Sequence, residues 1–224
     1  MTASAATARP GTPGWRVRAG IALFALAGPL SLGGLLLRGP IVDQSVDPAR
    51  WAAVASSSSF VAAWYLLLPS LVVQMLGFAA LARFTENGPA GRAGFWGFVL
   101  GVLGNGLWLP SAGVLALASP SLAALHLAGD PGAVGVLNAA LFGPAALPAM
   151  AVSAVGLLGG SLAFAWAIWR TPGLPRWAAL PYALHALCLT FLAPLSYAVE
   201  LTGGALLLVS SAAVALAVWR RSAP

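Results

Sequence analysis

SSFVAAWYLLLPSLVVQMLGFAALA, residues 58–82, contains no charged side chain. Beyond its opening serines and the Trp64–Tyr65 pair, only Ser70 and Gln74 interrupt the hydrocarbon, and Arg83 follows at once. A helix needs about 20 such residues to cross the hydrocarbon core of a bilayer. This stretch therefore reads as a transmembrane helix, with Pro69 expected to bend it. Five more runs match it, at about 17–37, 93–118, 146–169, 177–197 and 202–219. Composition agrees: 60% of the 224 residues are hydrophobic and 7% are charged. A soluble domain carries roughly a quarter charged residues. The expected fold is an all-α polytopic membrane protein, a six-transmembrane-helix bundle in one domain over residues 15–221. Residues 1–14, rich in Ala, Thr, Pro and Gly, read as a disordered tail.

The basic residues orient the bundle. With the N-terminus in the cytoplasm, Arg9, Arg16, Arg18, Arg83, Arg92, Arg170, Arg176, Arg220 and Arg221 fall inside, while only Arg38 and Arg50 fall outside. Short cytoplasmic loops carry such an excess, so both termini are expected to be cytoplasmic. Trp96, Trp166, Trp169 and Trp219 near the inner boundary, and Trp51 and Trp64 near the outer, fit an interfacial aromatic belt. Arg9, Arg16 and Arg18 before an apolar run also fit a signal peptide, but no small-x-small cleavage site follows "LLLRGP", so a retained first helix is the better reading. The net charge of +6 is thus spent on orientation, and no nucleic-acid partner is expected. The basic residues are all arginine, which excludes a lysine Schiff base.

Two outer loops contain apolar turns. "VDPARWAAVA" in loop one and "GDPGAVGVLNAALFG" in loop three each place Asp before Pro, a pattern that can cap a helix beginning on proline. Both are expected to form short interfacial helices, which would make a small lid. Arginine-led helix starts at Arg18, Arg92 and Arg176 suggest a threefold hairpin pattern, although orientation alone already demands arginine at each inner end.

Small and polar residues mark the faces that turn inward, because helices associate in lipid by close approach and shared polar groups. Gly97 and Gly101 form one GxxxG pair with Asn105 a turn further on; Gly156 and Gly160 form another, with Ser153 preceding them. Ser70, Gln74 and Gly77 share a face, as do Tyr182, His185, Cys188 and Ser196. Gln74 and His185 each lie nine residues from an inner arginine, Arg83 and Arg176, which is about 13 Å of helix. By the same count Asn105 lies higher, at roughly 19 Å. The expected intramembrane polar cluster is Gln74, Asn105 and His185.

An ionisable residue inside a span is a functional candidate, and His185 has several readings. One is an interhelical hydrogen bond with Gln74. Another is binding of a haem or chlorophyll-type pigment through its imidazole. A third is proton or substrate handling. The primary expectation is no cofactor. No metal site is expected, since zinc needs three or four ligands and the chain offers His126 in an outer loop, His185 and the single Cys188. No Asp, Glu or Lys lies within any of the six runs as bounded above, and the one Arg, Arg18, stands at the inner edge of the first, which disfavours an ion-coupled permease. Neither a phosphate-binding glycine loop nor a nucleophile elbow or zincin helix is present.

At "DPARWAAVASSSSFVAAWYLLLPSLVVQMLGFAALARF" and "TPGLPRWAAL" the sequence resembles a diffuse group of uncharacterised six-helix membrane proteins of high-GC bacteria, a resemblance that extends over about half the chain. That resemblance implies a multi-pass protein of the bacterial cytoplasmic membrane and carries over no site residues. The functional expectation is a non-catalytic membrane subunit or binding module that packs against lipid-like molecules, other membrane subunits or itself. The alternatives are a pigment-, haem- or quinone-binding protein using His185, and a small-molecule permease.

Overall fold

The computed structural model describes residues 14–221, and every regular element among them is helical. Residues 1–13 of the expected tail, Arg9 included, lie outside the described residues. In chain order the α-helices are α1 (Trp15–Arg38), α2 (Pro48–Ala55), α3 (Ser58–Thr85), α4 (Gly91–Gly113), α5 (Ser119–Leu127), α6 (Gly132–Phe142), α7 (Ala146–Arg170), α8 (Ala179–Leu187) and α9 (Tyr197–Arg220). Wider and tighter turns extend two of them. A π-helical segment, Val114–Ala118, joins α4 to α5; Cys188–Leu192 (π) and Ala193–Leu195 (3₁₀) prolong α8. Six continuous runs are long and apolar enough to cross a membrane: Trp15–Arg38, Ser58–Thr85, Gly91–Leu127, Ala146–Arg170, Arg176–Leu195 and Tyr197–Arg220.

Helix starts follow local chemistry. Ser57 caps α3, its hydroxyl accepting from the Phe60 amide at 3.2 Å, and Asp47 caps α2 by accepting from the Arg50 amide at 3.1 Å. In the other Asp–Pro pair the cap is displaced by one residue. Pro131 itself occupies the cap position of α6, while Asp130 accepts from the Gly132 amide at 2.8 Å. Ser196 caps α9 through the Val199 amide, so this helix begins at Tyr197, not near 202. The third run also exceeds its expected end at 118. Pro120 cannot donate to the carbonyl a turn below it, and the helix passes this gap by widening into the π segment. There the Ser119 hydroxyl bonds the Val114 carbonyl at 3.4 Å.

The six long helices close into a ring. Each packs on its neighbour in chain order, from α1 against α3 through to α8 against α9, and α9 returns against α1. Adjacent helices run antiparallel. On α3 and α4 the sequence of contacts is Thr85 with Gly94, Phe78 with Gly101 and Gln74 with Asn105. A close approach joins α4 and α7, where glycine meets glycine. A Cβ placed on Gly160 would lie 2.6 Å from the Gly101 amide nitrogen, and one on Gly104 would lie 2.5 Å from that of Leu157. Gly97 and Gly101 accommodate the rings of Phe164 and Phe78, and Gly156 faces Gly104. Side chains larger than hydrogen would separate these backbones.

Two hydrophobic cores fill the ring, one at each end. Toward the end that carries Arg16, Arg18, Arg83, Arg92, Arg170, Arg176, Arg220 and Arg221, the core contains Ile21, Phe24, Phe78, Leu81, Phe164, Ile168, Tyr182, Val214 and Val218. At the opposite end α2, α5 and α6 pack over Leu35, Phe60, Trp64 and Leu67 through Trp51, Ala52, Ala123, Leu137 and Leu141. Gln44 donates to Asn138 at 2.7 Å, and Asn138 donates to Ser45 at 3.1 Å, tying the first loop to α6. The short helices thus pack across this end, where the sequence led to the expectation of a small lid. Facing outward are Leu26, Tyr65, Leu76, Phe95, Val155, Trp166 and Leu216, all exposed. A surface so apolar matches hydrocarbon surroundings.

Candidate functional site

Between the two cores lies a cavity of about 500 Å³, within the roughly 300–1,000 Å³ of small-molecule sites. Helix α3 supplies one wall as a single stripe, Phe60, Trp64, Leu67, Leu71, Gln74 and Phe78, spaced three or four residues apart so that all share one face. Leu35 of α1, Leu157 of α7, Leu189 beyond α8 and Leu207 of α9 complete an apolar shaft. Beneath it is an aromatic floor. Phe24, Phe78, Phe164 and Tyr182 form a closed circuit of rings, with centroids 5.1 Å apart for Phe78–Phe164, 5.6 Å for Phe24–Tyr182, and 6.4 Å for the remaining two neighbours. All four are buried, so the cavity does not continue through this end.

Gln74, Asn105 and His185 all line the cavity and all are buried. They do not bond as the depth count suggested. Gln74 accepts from Asn105 Nδ2 at 3.4 Å, whereas the His185 Nδ1 atom meets the carbonyl of Tyr182 on its own helix. The reason is the antiparallel match of α3 and α4, which sets Gln74 beside Asn105; counting residues from boundary arginines ignores where each helix enters the layer. The His185 ring rests on the Tyr182 ring with centroids 4.6 Å apart. Ser153 donates to the Gly104 carbonyl at 2.7 Å, adding a polar tie between α7 and α4 beside the cavity. Cys188 is absent from the lining and packs against Gly203 of α9. Ser196 is exposed at the start of α9 and also lies away from the polar group. His126 sits on α5, outside the cavity. Among the described residues no three His, Cys, Asp or Glu side chains gather at one place.

One pair was not visible from the sequence. Arg38, the last residue of α1, forms a salt bridge with Glu200 in the first turn of α9, and both line the lid end of the cavity. Their side chains are 12% and 7% exposed. The expectation that no acid lies within a span fails here, because α9 starts five residues earlier than its apolar pattern implies. Ser196 as a helix cap followed by an acid in the first turn was the available signal. The Tyr197 hydroxyl donates to the Leu35 carbonyl at 2.9 Å and holds the same two helix ends together.

Six membrane-length helices around a ligand-sized cavity define the class: a multi-pass membrane protein with a cavity inside its helix ring. Comparison with known families, curated proteins and solved structures finds no match. What the cavity can do therefore follows from its own chemistry. It offers apolar walls, a group of uncharged hydrogen-bonding side chains above an aromatic floor, and an ion pair under the lid.

Proposed function

We propose that this chain is a non-catalytic binding module of the bacterial cytoplasmic membrane, holding a lipid-like molecule in its central cavity. The cavity carries the proposal: its volume suits one small ligand, its shaft is hydrocarbon, and its polar side chains are few and convergent. In this reading both termini are cytoplasmic, and α2 and α6 lie at the outer interface. The apolar outward faces suit contact with bilayer lipid, with other membrane subunits or with a second copy.

The proposal is tested by extracting protein purified in mild detergent and weighing its bound small molecules by mass spectrometry. Wild type is expected to carry about one lipid-like molecule per chain. Leu71→Trp, which places an indole in the shaft, is expected to lose it while unfolding at a similar temperature. Retention of the molecule by Leu71→Trp, or a wild-type extract holding only bulk detergent and lipid, rejects the proposal.

A second reading draws on a specific observation. Because Nδ1 is engaged by a carbonyl, Nε2 of His185 is the atom left to act, and a neutral imidazole so held can bind a haem or chlorophyll metal. His126 does not line the cavity, so it offers no second axial histidine there. A visible absorption band that disappears in His185→Phe selects this reading over the first.

A further inference from the structure

The polar side chains above the floor can be sorted into donors and acceptors. The Tyr182 carbonyl only accepts, so the hydrogen between it and His185 Nδ1 belongs to the imidazole. This sets the neutral tautomer with a bare Nε2, and no protein group among the described residues donates to that nitrogen. Asn105 spends one N–H on Gln74 Oε1, which leaves Gln74 Nε2 as a donor and Asn105 Oδ1 as an acceptor without protein partners. The residues are 4%, 8% and 1% exposed for His185, Gln74 and Asn105, and all three line the cavity. A buried acceptor without a donor bears its full desolvation cost. An occupant that donates to it removes that cost.

Charge narrows the class further. No ionised group joins the three residues, and Arg38 and Glu200 neutralise each other at the far end. A charged headgroup placed above the aromatic floor would have no counter-ion in a low-dielectric site. The volume also excludes a two-chain lipid held entirely inside. Resting on the binding reading above, we infer that the occupant is an uncharged, hydroxyl-headed amphiphile whose O–H donates to Nε2 of His185, with its hydrocarbon along the Leu35–Leu67–Leu71–Leu207 shaft.

Two probes of nearly equal shape test this, 2-naphthol and its methyl ether, differing in the one O–H. Trp51, Trp64 and Trp108 line the cavity, so energy transfer from tryptophan to the naphthalene reports binding to the detergent-solubilised full chain. Wild type is expected to favour the alcohol by roughly five- to tenfold, the worth of one neutral hydrogen bond. His185→Phe is expected to bring the ratio to about one, while His185→Gln, which keeps an acceptor, retains part of it. If His185→Phe does not fold, the wild-type ratio and His185→Gln decide. Equal affinities in wild type, or a preference that survives His185→Phe, overturn the hydroxyl inference and leave cavity binding standing. Failure of both probes to bind overturns the binding reading as well. A visible band assigned to His185 gives Nε2 to a metal and overturns the inference too.

Discussion

Arg38 and Glu200 are partners across 162 positions of chain, and their pairing sets the largest single-residue prediction. Removing one member leaves a charge in a wall that is nearly closed to water. Such losses run to about 3–5 kcal/mol, and the 12% exposure of Arg38 places this one near the low end. Glu200→Gln is therefore expected to lower thermal stability by about 3 kcal/mol in detergent denaturation. The double variant Arg38→Met with Glu200→Leu should recover at least half of that, because it removes both desolvation penalties together. A double variant as unstable as the single one would show that the side chains matter by shape and not as a pair. His185→Phe should cost less, since the ring bonds only to its own helix. The contrast explains what the sequence revealed at this scale. Gln74, Asn105 and His185 stood out as polar islands in hydrocarbon, and the fold gathers them around one cavity. Arg38 and Glu200 lie at the edges of apolar runs, where charges are ordinary, so nothing local marked them as partners.

At the scale of elements, small residues decide which helices touch. Gly160 and Gly104 of the α4–α7 contact have no room for a side chain, whereas a Cβ on Gly106 of the same α4 would meet nothing within 4 Å. Gly160→Val should then destabilise by about 1–3 kcal/mol through overpacking. Gly106→Ala should be neutral or stabilise by up to about 1 kcal/mol, because it restricts the unfolded chain without a clash. Thermal unfolding of the two variants side by side checks this. Equal losses would mean that helix propensity, not interhelical space, controls the response. Apolar run length located all six long helices because hydrocarbon runs are the strongest signal a chain can carry. It misjudged their ends, since Ser196 begins α9 in a mildly polar stretch and the π turn at Val114–Ala118 carries a helix past Ser119–Pro120. Neither event has a hydropathy signature. Likewise, Asp–Pro promised two similar caps, and only Asp47 adopts that geometry.

For the whole molecule, ring closure makes a demand on topology that can be separated from orientation. The antiparallel order of the long helices puts the α1–α2 loop and the α5–α6 turn at the lid end, and the α3–α4 and α7–α8 turns at the arginine-rich end. Val46 and Ala128 are exposed at the first; Asn87 and Pro172 are exposed at the second. In a Cys188→Ala background, cysteines at positions 46 and 128 must therefore behave alike toward a membrane-impermeant thiol reagent, and those at 87 and 172 must behave in the opposite way. This much follows from the fold alone. Which pair reacts from outside the cell is expected from the arginines, eight of which, among the described residues, cluster at the end that carries α1's start and α9's finish. By the positive-inside bias that end is expected in the cytoplasm, so positions 46 and 128 are expected to label in intact cells and positions 87 and 172 only after the membrane is opened. The reverse pattern would refute the orientation while leaving the ring intact. A mixed pattern, with 46 and 128 on different sides, would break the ring itself and, with it, the cavity that the ring encloses.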